Sequence, residues 1–378
     1  GRGAGAAYQA LNTKANVKLV ALADAFRPNL DRTYNSLIQK WQDRIDVPED
    51  RKFVGLDAYR KAVSADVDMV LICTPPGFRP AQFEEAVDAG KHVFMEKPLA
   101  VDAPGYRRIL AANEIAKKKG LLVAVGHHLR HETKHTEVLE QIHDGRIGDI
   151  MFMRAYFNTG RIWVRGRQPN QTEMQYQVNN WYHFNWLSGD HIVEQHVHDL
   201  DVCNWMMNDS HPIEAQALGG RQVREDRDYG EIFDHHAVEY TYEGGVKLFS
   251  FCRQINGCWG SFAEHAQGTR GRVDIEGHGS STLTVNGENP ERRKRGKDGH
   301  QVEHDHLFEA LLKGQPYNEV DRSATSTMIA IMGRMASYSG KVVTWKDAVE
   351  SKLDLSPKEL TGDSQPPVMP RADGEYQV

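Results

Sequence analysis

The sequence predicts an α/β protein in two parts, a parallel β-α-β sheet followed by a larger, mostly antiparallel sheet, and three observations carry that reading. Residues 68–76 (Asp-Met-Val-Leu-Ile-Cys-Thr-Pro-Pro) and 91–98 (Lys-His-Val-Phe-Met-Glu-Lys-Pro) each read as a short apolar strand that stops on proline, and the stretch between them, 82–89, has helical composition. That is one β-α-β unit whose two strand ends converge on one crevice, where open α/β sheets hold their ligands. Farther on, strand-like segments recur at 213–222, 237–242, 246–254 and 271–276, which suits one mostly antiparallel sheet. Finally, 378 residues are too many for one ordinary core, so two domains are expected.

Bulk properties narrow the function before any motif does. With 40% hydrophobic and 26% charged residues the composition is globular, and no apolar run approaches membrane-spanning length. A formal charge of -6 argues against nucleic acid as the main partner. The basic run Arg292-Arg293-Lys294-Arg295 with Lys297 reads as a solvated loop. Cys73, Cys203, Cys252 and Cys258 show neither Cys-x-x-Cys spacing nor a dense framework, so no zinc site and no obligatory disulfide are expected.

In chain order, Gly1-Arg2-Gly3-Ala4-Gly5 leads directly into a helix-forming stretch, as the tail of a Gly-x-Gly-x-x-Gly turn would, with its strand and leading glycines expected upstream of residue 1. Such a turn lets the backbone approach a pyrophosphate at a helix N-terminus. Residues 17–24 form a strand ending on Asp24, about 20 residues past the glycines, where a carboxylate binds a ribose 2′-hydroxyl. Asp24 favours NAD; Arg27 close behind keeps NADP in play. Residues 30–66 read as helix, loop and helix without chemistry. Arg79, after the Thr74-Pro75 turn, is placed either near the cofactor or at the surface. Lys97, at the carboxyl end of the strand over 91–97 and next to Glu96, is the first catalytic candidate. A helix over 103–119 and a strand over 121–126 complete the first unit. His127, His128, Arg130 and His131 crowd that strand's end without a recognisable ligand spacing, and Arg130 is read as a positive group facing cofactor or sugar hydroxyls.

The second unit opens with a turn at 145–150 and a strand over 151–157, and returns to helices at 305–313 and 323–339 before a Pro-rich polar tail. Its informative stretch is 189–205. If helical throughout, it sets Glu194, His198 and Asp201 at i, i+4 and i+7 on one face, with His196 and Asp199 facing elsewhere. A carboxylate one turn from an imidazole fixes its tautomer and raises its basicity, as a general base requires. A metal held by Glu194, His198 and a third ligand from the sheet is an alternative, and no metal is assigned. Just upstream, Asn180, Trp181 and Tyr182 combine the aromatic faces and amide that a sugar needs, with Trp163 and Arg165 as secondary candidates; Trp186 reads as core.

Thr74-Pro75, Ala89-Gly90-Lys91-His92-Val93 and Glu96-Lys97-Pro98, in this order, resemble the signature of the Gfo/Idh/MocA family of nicotinamide-dependent sugar oxidoreductases, and the likeness extends from the Gly-rich start to Ser323-Ala324-Thr325-Ser326-Thr327. The resemblance implies a Rossmann NAD(P)-binding domain over 1–128 and an α/β domain with an open-faced sheet over 129–378, through which such proteins form dimers or tetramers. It implies catalysis by Lys97, His198 and Glu194, where Glu194 stands in place of the family's usual Asp, one methylene longer. It implies a cofactor site of Gly1, Arg2, Gly3, Asp24, Thr74, Pro75, Arg79, Glu96 and Lys97, with NAD tightly bound. The substrate side comprises Lys97, Arg130, Trp163, Arg165, Asn180, Trp181, Tyr182 and Asp201. The implied reaction is hydride transfer between a ring CH–OH of a sugar, cyclitol or glycoside and nicotinamide. Its rivals are a redox-neutral, NAD-dependent glycoside hydrolase or lyase and a non-enzymatic sugar or cofactor sensor. The start and the Thr-Pro-Pro-Gly-Phe-Arg-Pro turn also resemble proteins exported folded to the periplasm, with the cytoplasm as the alternative.

Overall fold

In the computed structural model, which describes residues 1–361, the chain begins with α1 (Arg2–Leu11), β1 (Leu22–Asp24), α2 (Arg27–Trp41), β2 (Lys52–Val54), α3 (Ala58–Ser64) and β3 (Met69–Ile72). It continues through α4 (Arg79–Asp88), β4 (His92–Met95), α5 (Ala103–Lys118) and β5 (Val123–Val125). Every pairing among these strands is parallel, in a two-stranded sheet β1-β2 and a three-stranded sheet β3-β4-β5. Val93, Phe94 and Met95 have no exposed surface, which is the reason a parallel strand covered on both sides reads as an unbroken apolar run. The helix, loop and helix expected over 30–66 is corrected by β2, whose three residues are too few to show a period.

A 3-10 turn over His128–His131 leads into α6 (Thr133–His143), β6 (Ile150–Thr159), α7 (Glu173–Asn179), α8 (Asn185–Ser188), α9 (His191–Glu194) and α10 (Val197–Met206). Then come β7 (Glu214–Gly220), β8 (His235–Thr241), β9 (Lys247–Gln254), β10 (Ser261–Gly268), β11 (Gly271–Glu276), β12 (Ser281–Val285) and β13 (Glu291–Arg293). The described chain closes with α11 (Gly299–Lys313), α12 (Val320–Ser339), β14 (Val343–Thr344) and α13 (Trp345–Glu350); the Pro-rich tail lies outside the described residues. Nine strands form one sheet in the order β13-β12-β11-β10-β6-β9-β8-β7-β14, antiparallel at each junction except β6–β9. Helix α12 is buried along almost its whole length and packs on α5 of the first unit and on α10, β7 and β8 of the second. Among the described residues no helix is long and apolar enough to cross a membrane.

Strand β10 escaped the sequence reading for a physical reason. Its core-facing positions include Glu264, a carboxylate with no exposed surface where an apolar residue would mark the period. Glu264 meets Asp199 of α10, also without exposure, and burial raises both carboxyls well above their ordinary range, with Asp199 raising Glu264 further while the Glu264 hydrogen bond pulls Asp199 back. A group with a raised folded-state pKa contributes stability that is complete below its unfolded value, near pH 4, and is lost as pH rises through the folded value, at about 1.4 kcal/mol per unit. The substitution Glu264→Gln, whose amide mimics the protonated acid, therefore flattens the decline in Tm between pH 5 and neutrality. An unchanged Tm–pH curve would show that both carboxyls ionise in the folded protein.

Candidate active site at the strand ends

Strand β4 delivers Glu96 and Lys97 into the crevice between the units. Lys97 Nζ donates to Glu194 Oε1 at 3.2 Å and to the Glu194 carbonyl oxygen, so one lysine ties the first unit to α9 of the second. Both side chains are largely buried, 12% and 14% exposed. Burial raises the Glu194 carboxyl above its ordinary value against the pull of Lys97.

The continuous helix expected over 189–205 is corrected. It breaks into α9 and α10 at Gln195 and His196. The His196 backbone N–H reaches back five residues to the His191 carbonyl, while its ring bonds Asp199 Oδ2 (3.1 Å) and Ser250 Oγ of β9 (2.8 Å). The break removes the i, i+4 register, and the Glu194 carboxylate turns to Lys97 rather than to His198. His196 and Asp199 do face away from the crevice, into the core.

His198, in the first turn of α10, keeps a buried Nδ1 with no hydrogen-bond partner. Burial, then Lys97, His128, His127 and His300, hold its pKa well below the ordinary imidazole value, so it is neutral at neutral pH. The His128 ring stands edge-on to it, 4.9 Å between centroids, and His127 at 6.1 Å.

Arg130 and Asp201, both read from the sequence as substrate contacts, are corrected to a buried pair. Arg130 Nε and Nη2 meet the two oxygens of Asp201 at 2.7 and 2.9 Å, with Ser326 Oγ donating to the same carboxylate at 2.7 Å. The two side chains are 2% and 1% exposed, so they face each other and not the crevice. Arg130→Met strands Asp201 as an unpaired buried charge and costs about 3–5 kcal/mol, measured as a lowered denaturation midpoint. A loss of activity without loss of stability would return Arg130 to the substrate side.

At the other end of the crevice, the first turn of α1 has no side-chain cap, which leaves backbone N–H groups open to an anion. Arg2 Nε donates to Glu96 Oε1 at 2.7 Å. Although burial raises it, Arg2, Lys97 and Arg79 hold Glu96 below the ordinary carboxylate range. A Cβ on Gly126 would lie 2.7 Å from Glu96 Oε2, so this carboxylate needs glycine at the end of β5. Thr74 Oγ1 donates to Gln82 Oε1 at 2.6 Å beside Pro75. Arg79 is corrected: 3% exposed, it donates to the carbonyls of Thr74 (2.7 Å) and Pro98, cross-tying the loops after β3 and β4 rather than facing cofactor or solvent, and burial pulls its pKa down to about 10. Asp24 ends β1, partly buried, accepting the Phe26 N–H at 2.8 Å. Arg27 is spent on Asp31 and Glu49, so it is not free for a 2′-phosphate. An uncapped helix terminus with a carboxylate beyond it, and the neighbouring Arg27 already paired, fits the pyrophosphate and ribose diol of NAD.

On the sheet side, Trp163 is 38% exposed, with the Arg165 guanidinium 4.7 Å over its ring and Trp181 and Tyr182 at 6.0 and 6.2 Å. The Tyr182 hydroxyl donates to Gln195 Oε1 (2.9 Å) and accepts from Gln254 Nε2 (2.7 Å), tying this wall to the helix break. Asn180 is corrected from sugar reader to scaffold: fully buried, it accepts the Arg165 N–H (2.9 Å) and donates to the Asp228 carbonyl (2.8 Å). Gln195 and Gln254 carried no functional signal in the sequence, being common polar residues without spacing, and Ser326 stood out only as part of the Ser323–Thr327 segment with no role attached. Among the described residues, three potential metal ligands converge at Asp190, His191 and His236, a set that includes neither Glu194 nor His198. The Asp190 carboxylate is already held by the N–H groups of His191 and Phe233 and by the Tyr338 hydroxyl.

Residues 1–127 match the oxidoreductase family with an NAD-binding Rossmann fold, GFO/IDH/MocA, and residues 135–274 match the GFO/IDH/MocA C-terminal domain. The chain is similar to inositol 2-dehydrogenase of Rhizobium meliloti, 26% identical over 274 residues and 71% of each chain. Three other curated relatives are matched over 41% to 54% of their own length. Its fold is like that of levoglucosan dehydrogenase in complex with NADH and levoglucosan (TM-score 0.70, 15% identity, 90% of this chain and 94% of that one). It is also like that of scyllo-inositol dehydrogenase from Lactobacillus casei with NAD(H) and scyllo-inositol (TM-score 0.68, 19% identity, 92% and 97%). With both of its units matched, and a helix terminus and strand-end carboxylate suited to a dinucleotide, the chain belongs to the Gfo/Idh/MocA family of NAD(P)-dependent oxidoreductases.

Proposed function

We propose that this enzyme transfers hydride between a ring CH–OH of a sugar, cyclitol or glycoside and NAD. The observation that carries the reading is the Lys97–Glu194 pair bridging the units beside the neutral imidazole of His198. Bound NAD supplies the hydride acceptor. Lys97 holds the reacting hydroxyl and stabilises the developing alkoxide, Glu194 fixes the ammonium, and His198 takes the hydroxyl proton. Trp163 and Trp181 offer faces for the C–H side of the ring, with Arg165 at its hydroxyls, while Tyr182, expected there from the sequence, is corrected to scaffold: it is 1% exposed and its hydroxyl is held by Gln195 and Gln254. The family matches over 1–127 and 135–274 support a proposed division of the chain near residue 128.

A panel of inositols, anhydrosugars, aldoses and glycosides, incubated with protein and NAD, produces NADH with at least one member. Glycoside cleavage without net NADH would replace this reading by redox-neutral hydrolysis or elimination, and absence of nicotinamide binding would sink both. In the same assay NAD binds more tightly than NADP, and Asp24→Ser narrows the gap; equal affinities in the unaltered protein would contradict the role given to Asp24.

The names of relatives that act on inositols and levoglucosan support a small polyol as substrate. The sheet face away from α10 carries Tyr156 stacked on Phe251 (5.5 Å), with Trp259 65% and Leu218 78% exposed. This face suits a second copy of the chain, testable by the mass in solution of a Leu218→Lys variant.

A further inference from the structure

Resting on that reading, we propose that His128 and His300 form, with His198, a relay that carries the substrate's hydroxyl proton from the crevice to solvent at Asp298. The three rings are in sequence. His198 meets His128 edge-on at 4.9 Å, and His128 stacks on His300 at 3.9 Å with 17° between planes. His300 Nδ1 lies 3.2 Å from Asp298 Oδ1. Exposure climbs along this line, from 13% for the side chain of His128 to 27% for His300 and 55% for Asp298. Nδ1 of His198 and Nδ1 of His128 are both buried without hydrogen-bond partners.

The rings come from three separate elements, and the contact is built. Helix α11 starts against the 3-10 turn, where a Cβ on Gly299 would lie 2.1 Å from the His128 carbonyl oxygen, so only glycine lets His300 settle on His128. The mechanism as derived for Lys97 and His198 gives these residues no task. Yet oxidation of CH–OH to C=O moves two electrons and one hydrogen as hydride to NAD and leaves one proton on His198. An imidazole depressed by burial and Lys97 holds that proton weakly and must pass it on before the next turnover. Because the rings meet edge to face and face to face rather than N–H to N, each transfer in the proposal runs through a water bridging the ring edges, the proton entering at one imidazole nitrogen and leaving from the other. Around the relay stand Lys97, Arg2, His135 and Glu132 facing His128, Lys97 and His127 facing His198, and Arg2, Glu96 and Asp298 facing His300.

The test compares His300→Gln with the unaltered enzyme, using NAD and whichever polyol gives NADH. In dilute non-imidazole buffer the variant's turnover falls about tenfold or more, the first-turnover burst of NADH is retained, and added imidazole restores turnover. In the substrate-free protein, exchange of the His198 ring N–H with water, read by 15N NMR, slows. Unchanged turnover with unchanged exchange would overturn the relay, and so would a fall that imidazole does not rescue, which marks His300 as packing only. His300→Asn with an intact burst separates misfolding from lost transfer. Failure of the unaltered enzyme to make NADH at all would instead refute the dehydrogenase reading.

Discussion

His198→Asn lowers kcat for polyol oxidation by about 10²–10⁴-fold, the range of a general base, with KM and NAD affinity close to those of the unaltered enzyme. The reason lies in the geometry. His198 makes no hydrogen bond through Nδ1 and carries no structural load comparable to that of His196 or Arg130, so its loss removes proton acceptance without opening the core. The sign of the pH dependence follows from its environment. The base must be unprotonated, and burial with Lys97 nearby holds its pKa well below the ordinary value. Activity therefore rises with pH through a limb lying below pH 6.5 and is level through neutrality. That limb disappears in the Asn variant. A limb centred above pH 7, or one that survives the substitution, would assign the base elsewhere.

Lys97→Met is expected to cost about 10²–10³-fold in kcat, comparable to removing a preorganised donor to a developing oxyanion. Methionine keeps the length and apolar stem but leaves the alkoxide without a partner and Glu194 without its cation. Glu194→Gln should cost less than Lys97→Met, because Lys97 also donates to the Glu194 backbone carbonyl, a bond no side-chain change removes. Single-turnover hydride transfer measures both. Equal losses for the two variants would mean that Glu194 acts on substrate directly rather than through Lys97.

Legibility in the sequence followed chemistry that is local in the chain. Lys97 could be placed because a strand end, its residue type and its neighbours lie within ten residues, and the β-α-β unit because its apolar runs are unbroken. His198 was proposed from spacing together with the family resemblance, and the spacing argument was partly wrong: nothing in Gln195-His196 announces a helix break, where the His196 ring bonds Ser250, 54 residues away. Arg130 and Asp201 were misplaced for the same reason, as partners 71 residues apart look like two free charges until the fold joins them. Strand β10 was hidden by a buried acid, and His300 by lying in a helix whose role depends on where it docks.

The edge of the three-stranded parallel sheet has a consequence for synthesis. Val123 of β5 bonds Tyr317 O and the Glu319 N–H through its backbone, and the Glu319 side chain accepts the Val125 N–H at 2.9 Å. The strand that finishes the first sheet is thus capped by residues made some 190 positions later, immediately before the helix that packs both units together. On the ribosome, at roughly 5–20 residues per second, that edge stays uncovered for about ten seconds or more, a raw hydrogen-bonding margin open to other nascent chains. The exposure of this edge is therefore set by the order of synthesis rather than by the strength of the finished core.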